Sequence, residues 1–423
     1  MADRNSVPDY SPRGSRQLAL DALIEWAEGQ AFGADIVSRI TAEHQLESRD
    51  AALLQNLVFT VLRNQTLLDH WIARLGDIAR IEEHVRWIVR LGLTQLLILD
   101  LPPYAAVNET VKLAPHAGAL VNAILRRAQR ESIQLLDEVP TLPLHVRFSH
   151  PEWLVQRWLE QFGQETTAQL CEWNQQPARG FIRVNRLHPQ QLTDGELAGC
   201  GRTDREDFYQ PDTPPRDWLA QGKCYAQDPS TAVACDLLAA QPGDAVLDAC
   251  AAPGGKTALL AQMMENNGRI IACDSSARRM PRLQENLRRM KVAIARSFEH
   301  DWLHPKGTPP WGAMHFDRIL VDAPCSNTGV MRRRIDVRAR LQPAVFPKMA
   351  SQQLRILDAV LPLLKPGGAL VYSTCSIDVE ENQSLVAEVL TRHPFFKLAE
   401  ERATLPWREG VDGSYAAKIV HQP

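Results

Sequence analysis

The chain has 423 residues and a formal net charge of −3, with 45% hydrophobic and 23% charged residues. That balance excludes a disordered or fibrous chain, and the near-neutral charge gives no whole-chain sign of a polyanionic partner. The length leaves room for two or three domains. Eight cysteines are scattered without a Cys-x-x-Cys pair. No zinc ribbon, other metal site or secreted disulfide framework is therefore expected. Residues 1–14 are polar and carry Pro8 and Pro12, unlike a secretory signal. The most apolar stretch, Trp87 to Leu99, is interrupted by Arg90 and is too short to span a bilayer. A reducing cytoplasm without membrane contact is the expectation.

Residues 15–130 read as helices only. Leu20, Leu23, Ile24 and Ala27 fall at helical spacing, as do Leu54, Leu57, Val58 and Val61, and Leu68, Trp71, Ile72 and Leu75. Val85, Ile88, Val89 and Leu96 begin another stripe, which Pro102-Pro103 should stop. Helical stretches over 108–114 and 119–127 follow, and short connections imply a bundle. Pro140 and Pro143 mark a connector, and Pro151 is expected as the first residue of a helix. Phe181-Ile-Arg-Val-Asn185 alternates like a strand, and the prolines at 211, 214 and 215 mark a loop.

From residue 229 strands and helices alternate. Ala245–Ala249 and Arg269–Cys273 read as strands, each followed by a helix (257–264 and 278–290). Ile319–Val321, a helix around 352–364 and the strand Ala369–Tyr372 complete the pattern. This is the rhythm of a doubly wound α/β sheet. The expected division is a helical bundle over 1–145, a small mixed subdomain over 146–228 and a Rossmann-like domain over 229–423.

Asp248-Ala-Cys-Ala-Ala-Pro-Gly-Gly-Lys-Thr257 joins the first of these strands to its helix. Gly254 and Gly255 let the backbone approach a ligand, and the helix start presents unpaired N–H groups. Asp274 closes the next strand, where an acid can accept both hydroxyls of a ribose. Gly-Gly-Lys-Thr also invites a phosphate-binding P-loop reading, with Asp322 as the metal-binding acid. That pattern needs a glycine at position 250, which is Cys250.

Two cysteines stand just past apolar runs: Cys325 in Asp322-Ala-Pro-Cys-Ser326 and Cys375 in Ser373-Thr-Cys-Ser376. Free cysteine is usually packed as a small hydrophobe. Here the same placement occurs twice, at strand ends where an open α/β sheet holds its ligands. Two thiols downstream of a nucleotide-sized turn point to nucleophilic chemistry on a base.

Together, Leu247–Thr257, Asp322–Ser326 and Ser373–Ser376 resemble the RNA 5-methylcytosine methyltransferases, as do Gln227-Asp-Pro-Ser-Thr231 and Arg183-Val-Asn-Arg186. Leu101–Val111 and Val121–Arg126 resemble the helical domain of antitermination factor NusB. The fusion is similar to bacterial enzymes acting on 16S ribosomal RNA. The resemblance implies transfer of a methyl group from S-adenosylmethionine to carbon 5 of a cytosine. It implies Cys375 as nucleophile and Cys325 as helper in product release. The cofactor would be held by Cys250, Ala251, Ala252, Pro253, Gly254, Gly255 and Lys256, with Asp274, Asp301 near the adenine, and Asp322. Asp322 would also reach the base edge, and Arg279 either supports this pocket or stays at the surface. Arg332–Arg334 would meet RNA phosphates. The expected partner is RNA, namely 16S rRNA, with no obligate protein partner and a monomeric chain. A transfer RNA methyltransferase shares the chemistry, and a non-catalytic RNA-binding assembly factor would keep the domains but not the thiols.

Overall fold

The structure, a computed structural model, describes residues 14–29, 31–305 and 307–422. Pro8 and Pro12 lie outside them. The chain forms two compact units, one running to Gln175 and including Arg338–Arg340, the other holding Gln176–Val337 and Leu341 onward. The expected mixed segment 146–228 is thereby divided. Its long helix, Glu152–Gln175, lies in the first unit and its strands in the second.

The first unit is helical. Helices Ser15–Ala27, Ser48–Arg63, Gln65–Leu75 and Glu83–Leu93 carry the apolar stripes, and Leu23, Leu54, Leu57, Val58, Val61, Leu68, Ile72 and Ile88 are fully buried. Arg90, the charge that breaks the apolar run, is also buried. It makes two 2.7 Å bonds to Asp69 and stacks 4.2 Å from the Trp87 ring. A buried guanidinium is tolerable only when its hydrogen bonds are met in this way. The preceding helical run already ends at Ile98, with Asp100 at φ +47, so the prolines do not stop it, and Pro103 is the first residue of the next helix, Pro103–Lys112. Pro151 precedes its helix rather than starting it, and its carbonyl accepts from Leu154 and Val155. Arg338 is wholly buried in this unit. It donates to the carbonyls of Arg63, Phe148 and Asn174 and to Gln175 Oε1, at 2.7–3.2 Å.

The second unit holds two sheets. Strands β1 (Ile182–Val184), β2 (Cys200–Arg202), β3 (Phe208–Pro211) and β4 (Cys224–Ala226) form an antiparallel sheet ordered β2-β3-β1-β4. All of Phe181–Asn185 is buried, so the alternation there is one of partners, not of exposure. Ile182 and Val184 pack into an apolar cluster, while Arg183 turns to Gln227 and Gln262.

The larger sheet comprises β5 (Ala245–Asp248), β6 (Arg269–Asp274), β7 (Ala295–Glu299), β8 (Phe316–Asp322), β9 (Leu364–Thr374), β10 (Phe396–Thr404) and β11 (Ser414–His421). Its order is β10-β11-β9-β8-β5-β6-β7. Strands β5 to β9 are parallel, and β10 and β11 add an antiparallel edge. Along β8, Ile319 and Val321 face one core, with Ile356, Leu357 and Val389, while Leu320 faces the other, with Leu238 and Leu260. Burial on both faces is why these strands read as unbroken apolar runs. No helix among the described residues is long and apolar enough to cross a membrane.

Gly92 sits at a close helix contact in the first unit. A Cβ there would lie 2.7 and 2.8 Å from the two Leu125 methyls and 3.0 Å from Thr110 Cγ2. Gly92→Val is expected to destabilise the protein by about 1–3 kcal/mol through overpacking. Thermal unfolding measures this, and an unchanged midpoint would contradict the packing described.

Candidate active site

Parallel strands deliver their C-terminal ends to one edge, so Asp248, Asp274, Asp322 and Thr374 finish neighbouring or adjacent strands on the same side. The turn after β5 is held by its own backbone. Ala249 N–H donates to Leu320 (2.8 Å), Ala251 N–H to Cys273 (2.7 Å) and Gly254 N–H to Ala251 (2.7 Å). Gly254 has φ +103, which only glycine adopts easily. The space a Cβ would take at Gly254 and Gly255 is filled by protein, with Leu283 at 2.9 Å and Tyr225 at 2.8 Å. Close packing within the chain therefore already requires these glycines.

Asp274 is buried and accepts from Ser276 N–H (2.9 Å), Ala252 N–H (3.2 Å) and Arg279 (2.8 Å). Arg279 thus sits on the acid of the expected ribose site, with half of its side chain in solvent. Asp301 is more open and accepts from Leu303 N–H at 2.9 Å, with His304 at 3.1 Å. Burial acts to raise its carboxyl, and these bonds prevail and hold it below the ordinary value. Trp302, which the sequence reading passed over, donates from Nε1 to the Ala249 carbonyl at 2.8 Å and so ties the end of β7 to the turn. Asp248 is fully buried, accepts from Thr257 Oγ1 at 2.6 Å, and has a second oxygen without a partner.

Lys256 leaves this turn in another direction. Its Nζ donates to Asp322 Oδ2 at 2.7 Å, and Ser373 Oγ lies 3.4 Å from the other oxygen. Burial acts to lower the ammonium, but the Asp322 carboxylate more than offsets it, so Lys256 stays charged. The pair lines a small cavity with Cys375, Thr374, Thr231 and Gly413.

The two sulfurs are 3.1 Å apart. Cys375 Sγ is also 3.2 Å from Asn327 Oδ1, and Asn327, at φ +62, returns its amide to the Cys325 carbonyl at 2.8 Å. The Cys325 thiol is held well above its ordinary range by its bond to Cys375 and then by burial. Its proton is thereby kept, and the S–H is available to donate to Cys375. Burial pushes the thiols of Cys171, Cys224 and Cys235 up to about 12. Cys250 is also raised, by burial and then by Asp248 and Asp322, which makes it a poor nucleophile.

Arg332–Arg334 do not form a phosphate-facing triplet. Arg333 donates to Asp412 at 2.5 Å, to Asp228 at 2.6 Å and to the Arg179 carbonyl at 2.7 Å. Arg332 is buried, 3.9 Å from Asp412, and only Arg334 is exposed. The acids of Gln227-Asp-Pro-Ser and Asp412-Gly-Ser therefore close around an arginine. Burial and then the neighbouring Asp228 push Asp412 up to about 6, against the pull of Arg333. A wider cleft, lined by Arg186, Arg205, Asp207, Phe208 and Gln262, contains none of these groups.

The sequence comparisons agree on one group of proteins. Residues 235–420 match the family described as 16S rRNA methyltransferase RsmB/F, residues 13–130 the NusB family, and residues 150–192 an RsmF/B-like ferredoxin-like domain. The probable ribosomal RNA small subunit methyltransferase B of Bacillus subtilis (strain 168) is 32% identical over 90% of this chain and 89% of its own. Ribosomal RNA small subunit methyltransferase B of Salmonella paratyphi B is 35% identical over 96% and 98%. The chain belongs to the RsmB/F family of 16S rRNA methyltransferases. It is an enzyme of that S-adenosylmethionine-dependent family, with a NusB-type helical domain ahead of the catalytic one. A solved methyltransferase homologue from Pyrococcus horikoshii is 26% identical, with a TM-score of 0.57 over 66% of this chain and 98% of its own. The structure of PH0851, at 23% identity, shares the fold, with a TM-score of 0.76 over 99% and 100% of the two chains.

Burial pushes the Asp248 carboxyl from its ordinary 3.8 up to about 7. Within that window the folded protein holds a proton that the unfolded chain has lost, so stability falls as pH rises. Asp248→Asn removes this titration, while Asp412 titrates in the same direction and remains. The variant's unfolding free energy should vary less than wild type's between about pH 4 and pH 7. Denaturant titrations across that range check this, and parallel curves would contradict it.

Proposed function

We propose that the enzyme methylates carbon 5 of a cytosine in 16S rRNA through a covalent bond between Cys375 and carbon 6 of the base. The observation that carries this reading is the pair of thiols 3.1 Å apart beside the Lys256–Asp322 pair. Carbon 5 of cytosine is a weak nucleophile until a thiolate adds to carbon 6. Cys375 suits that addition because it lines the cavity and lies within hydrogen-bond distance of Cys325. The Cys375 thiol, which points at Asn327 Oδ1, gives up its proton to water. The thiolate sulfur bonds to carbon 6, and the electron pair of the 5,6 double bond moves to carbon 5, which then takes the methyl group. Lys256 and Asp322 are placed to hold the edge of the base and to balance charge there. After methylation the proton on carbon 5 passes to water, its bonding electrons restore the 5,6 double bond, and the pair of the carbon–sulfur bond returns to the Cys375 sulfur. Cys325, whose thiol keeps its proton in the resting site, assists this release as the base is freed.

S-adenosylmethionine, when bound, supplies the electrophilic methyl group. Its positive charges would meet the acids that end three neighbouring strands, Asp248, Asp274 and Asp322, and one oxygen of Asp248 has no hydrogen-bond partner. Asp274 would hold the ribose, Asp301 would lie on the adenine side, and residues 250–256 would line the cofactor. The substrate names of the relatives and the NusB-type domain favour ribosomal RNA. A base attacked on its face must be unstacked, so the target is single-stranded or flipped out.

Cys325→Ala is expected to accumulate a protein–RNA adduct that survives denaturing electrophoresis when S-adenosylmethionine is present. Cys375→Ala and the double variant should form none. Trapping by Cys375→Ala but not by Cys325→Ala would exchange the two roles. For RNA contact, Arg334→Ala should flatten the dependence of log affinity on log salt by about 0.7, one single-strand phosphate. Arg333→Ala should instead lower the melting temperature, because its charged bonds are internal. Equal salt slopes for wild type and Arg334→Ala would remove Arg334 from the RNA surface.

A further inference from the structure

Two adjacent residues grip the two cysteine loops, one loop each. Glu381 is fully buried. Its Oε2 accepts from the Ser326 N–H at 3.0 Å and from Gln353 Nε2 at 2.8 Å, and its Oε1 accepts from the Ser326 hydroxyl. Gln353, also fully buried, donates in addition to the Pro324 carbonyl at 2.9 Å. The residue after Cys325 is thus tied to the carboxylate directly, and the residue before it through Gln353. Asn382 does the same for the other thiol. Its amide donates to the Ser376 carbonyl at 3.0 Å, and its oxygen accepts from Thr374 Oγ1 at 2.7 Å. The residues on both sides of Cys375 are tied to one amide. The Tyr372 hydroxyl fixes the base of this clamp by donating to the Glu381 carbonyl at 2.6 Å. A buried carboxylate with all its bonds to fixed donors is costly to rearrange, so the clamp is stiff.

We propose that Glu381 is the positioning residue for Cys325 and Asn382 the positioning residue for Cys375, and that this dipeptide sets the separation of the two sulfurs. The proposal rests on the reading that Cys375 adds to the base and Cys325 assists release. Neither residue touches the base. Each acts through a loop, and the two loops serve opposite halves of the reaction. Neighbouring substitutions therefore have opposite signatures. Glu381→Ala frees the Cys325 loop and leaves Cys375 held, so addition proceeds and release slows. Asn382→Ala frees the Cys375 loop, so addition itself fails. Glu381→Gln keeps an acceptor for the Ser326 N–H and Gln353. Its new NH2 faces a serine hydroxyl that turns its own proton to Ser376 Oγ, 3.1 Å away.

The test uses the full chain, a 16S rRNA transcript and S-adenosylmethionine. Adduct is read on denaturing gels, and S-adenosylmethionine binding is measured by calorimetry as the check on folding. Cys325→Ala and Cys375→Ala run in parallel. Relative to wild type, Glu381→Ala should raise adduct about tenfold or more, and Asn382→Ala should lower it by a similar factor, as expected for displacement of a reacting group by ~1 Å. Glu381→Gln should return adduct and turnover to near wild type, which loss of a merely structural bond would not predict. Gln353→Leu, which cuts only the Pro324 tie and its bond to Glu381, should raise adduct in the same direction. It decides the matter if Glu381→Ala fails to bind cofactor. Adduct moving the same way in the Glu381 and Asn382 variants, or in neither, while the cysteine variants behave as assigned, overturns the clamp alone. A Cys325→Ala protein that traps no RNA overturns the cysteine roles, and the clamp assignment with them.

Discussion

The parallel pairing of β8 with β9 is the constraint on which the rest of the site depends. Its register sets Asp322 opposite Ser373, and the Ala323 N–H continues the ladder to the Ser373 carbonyl at 2.9 Å. The two chain segments leave the sheet side by side, so thiols fifty residues apart meet within 3.1 Å. A one-residue slip would turn the side chains of a strand to the opposite face, and both cores of the sheet forbid it. Gly329 completes the approach. It donates to the Cys375 carbonyl at 2.9 Å, and a Cβ there would fall 2.6 Å from the Gly413 carbonyl. A side chain at that position would force the loops apart.

Charge inside the catalytic unit is handled by pairing or by multiple hydrogen bonds. Lys256 with Asp322, and Arg333 with Asp228 and Asp412, each set a cation against acids from distant parts of the chain. Such pairs add little net stability, because desolvation offsets the attraction, but breaking one leaves an uncompensated charge. Their effect is to fix geometry. Lys256 is pinned beside the cavity, and the Asp228 and Asp412 loops are closed into its wall. Asp248 and Glu381 make no ion pair and are held by neutral donors, Asp248 by Thr257 and Glu381 by Ser326 and Gln353.

The family's two domain types, the glycine turn after β5 and the placement of the two thiols past strand ends were legible in the sequence because their signals are local. Gly254 needs a left-handed conformation, the apolar runs of β5, β8 and β9 need two covered faces, and the helical stripes repeat within a few turns. Strands β2, β3, β4, β7, β10 and β11 went unread, and Pro211, expected in a loop, is the last residue of β3. β10 is an edge strand, charged and largely exposed along Lys397–Arg402, and such strands resemble loops in composition. Trp302, Glu381 and Asn382 carried no signal either, since each acts through a partner remote in sequence or through an ordinary loop.

The arginine triplet shows where local reading ends. Three consecutive arginines look like one surface feature, yet the chain turns Arg333 towards two acids, buries Arg332 and exposes Arg334. The sequence by itself determined which chemical groups were present and which strand ends carried them, because those properties depend on near neighbours along the chain. Only the tertiary structure decided which groups met: Lys256 with Asp322, Arg333 with Asp228 and Asp412, Glu381 with Ser326, and one sulfur with the other. The reason is physical. Hydrogen bonds and ion pairs reach only a few ångströms, and it is the register of a buried parallel sheet, not spacing along the chain, that brings distant residues within that reach.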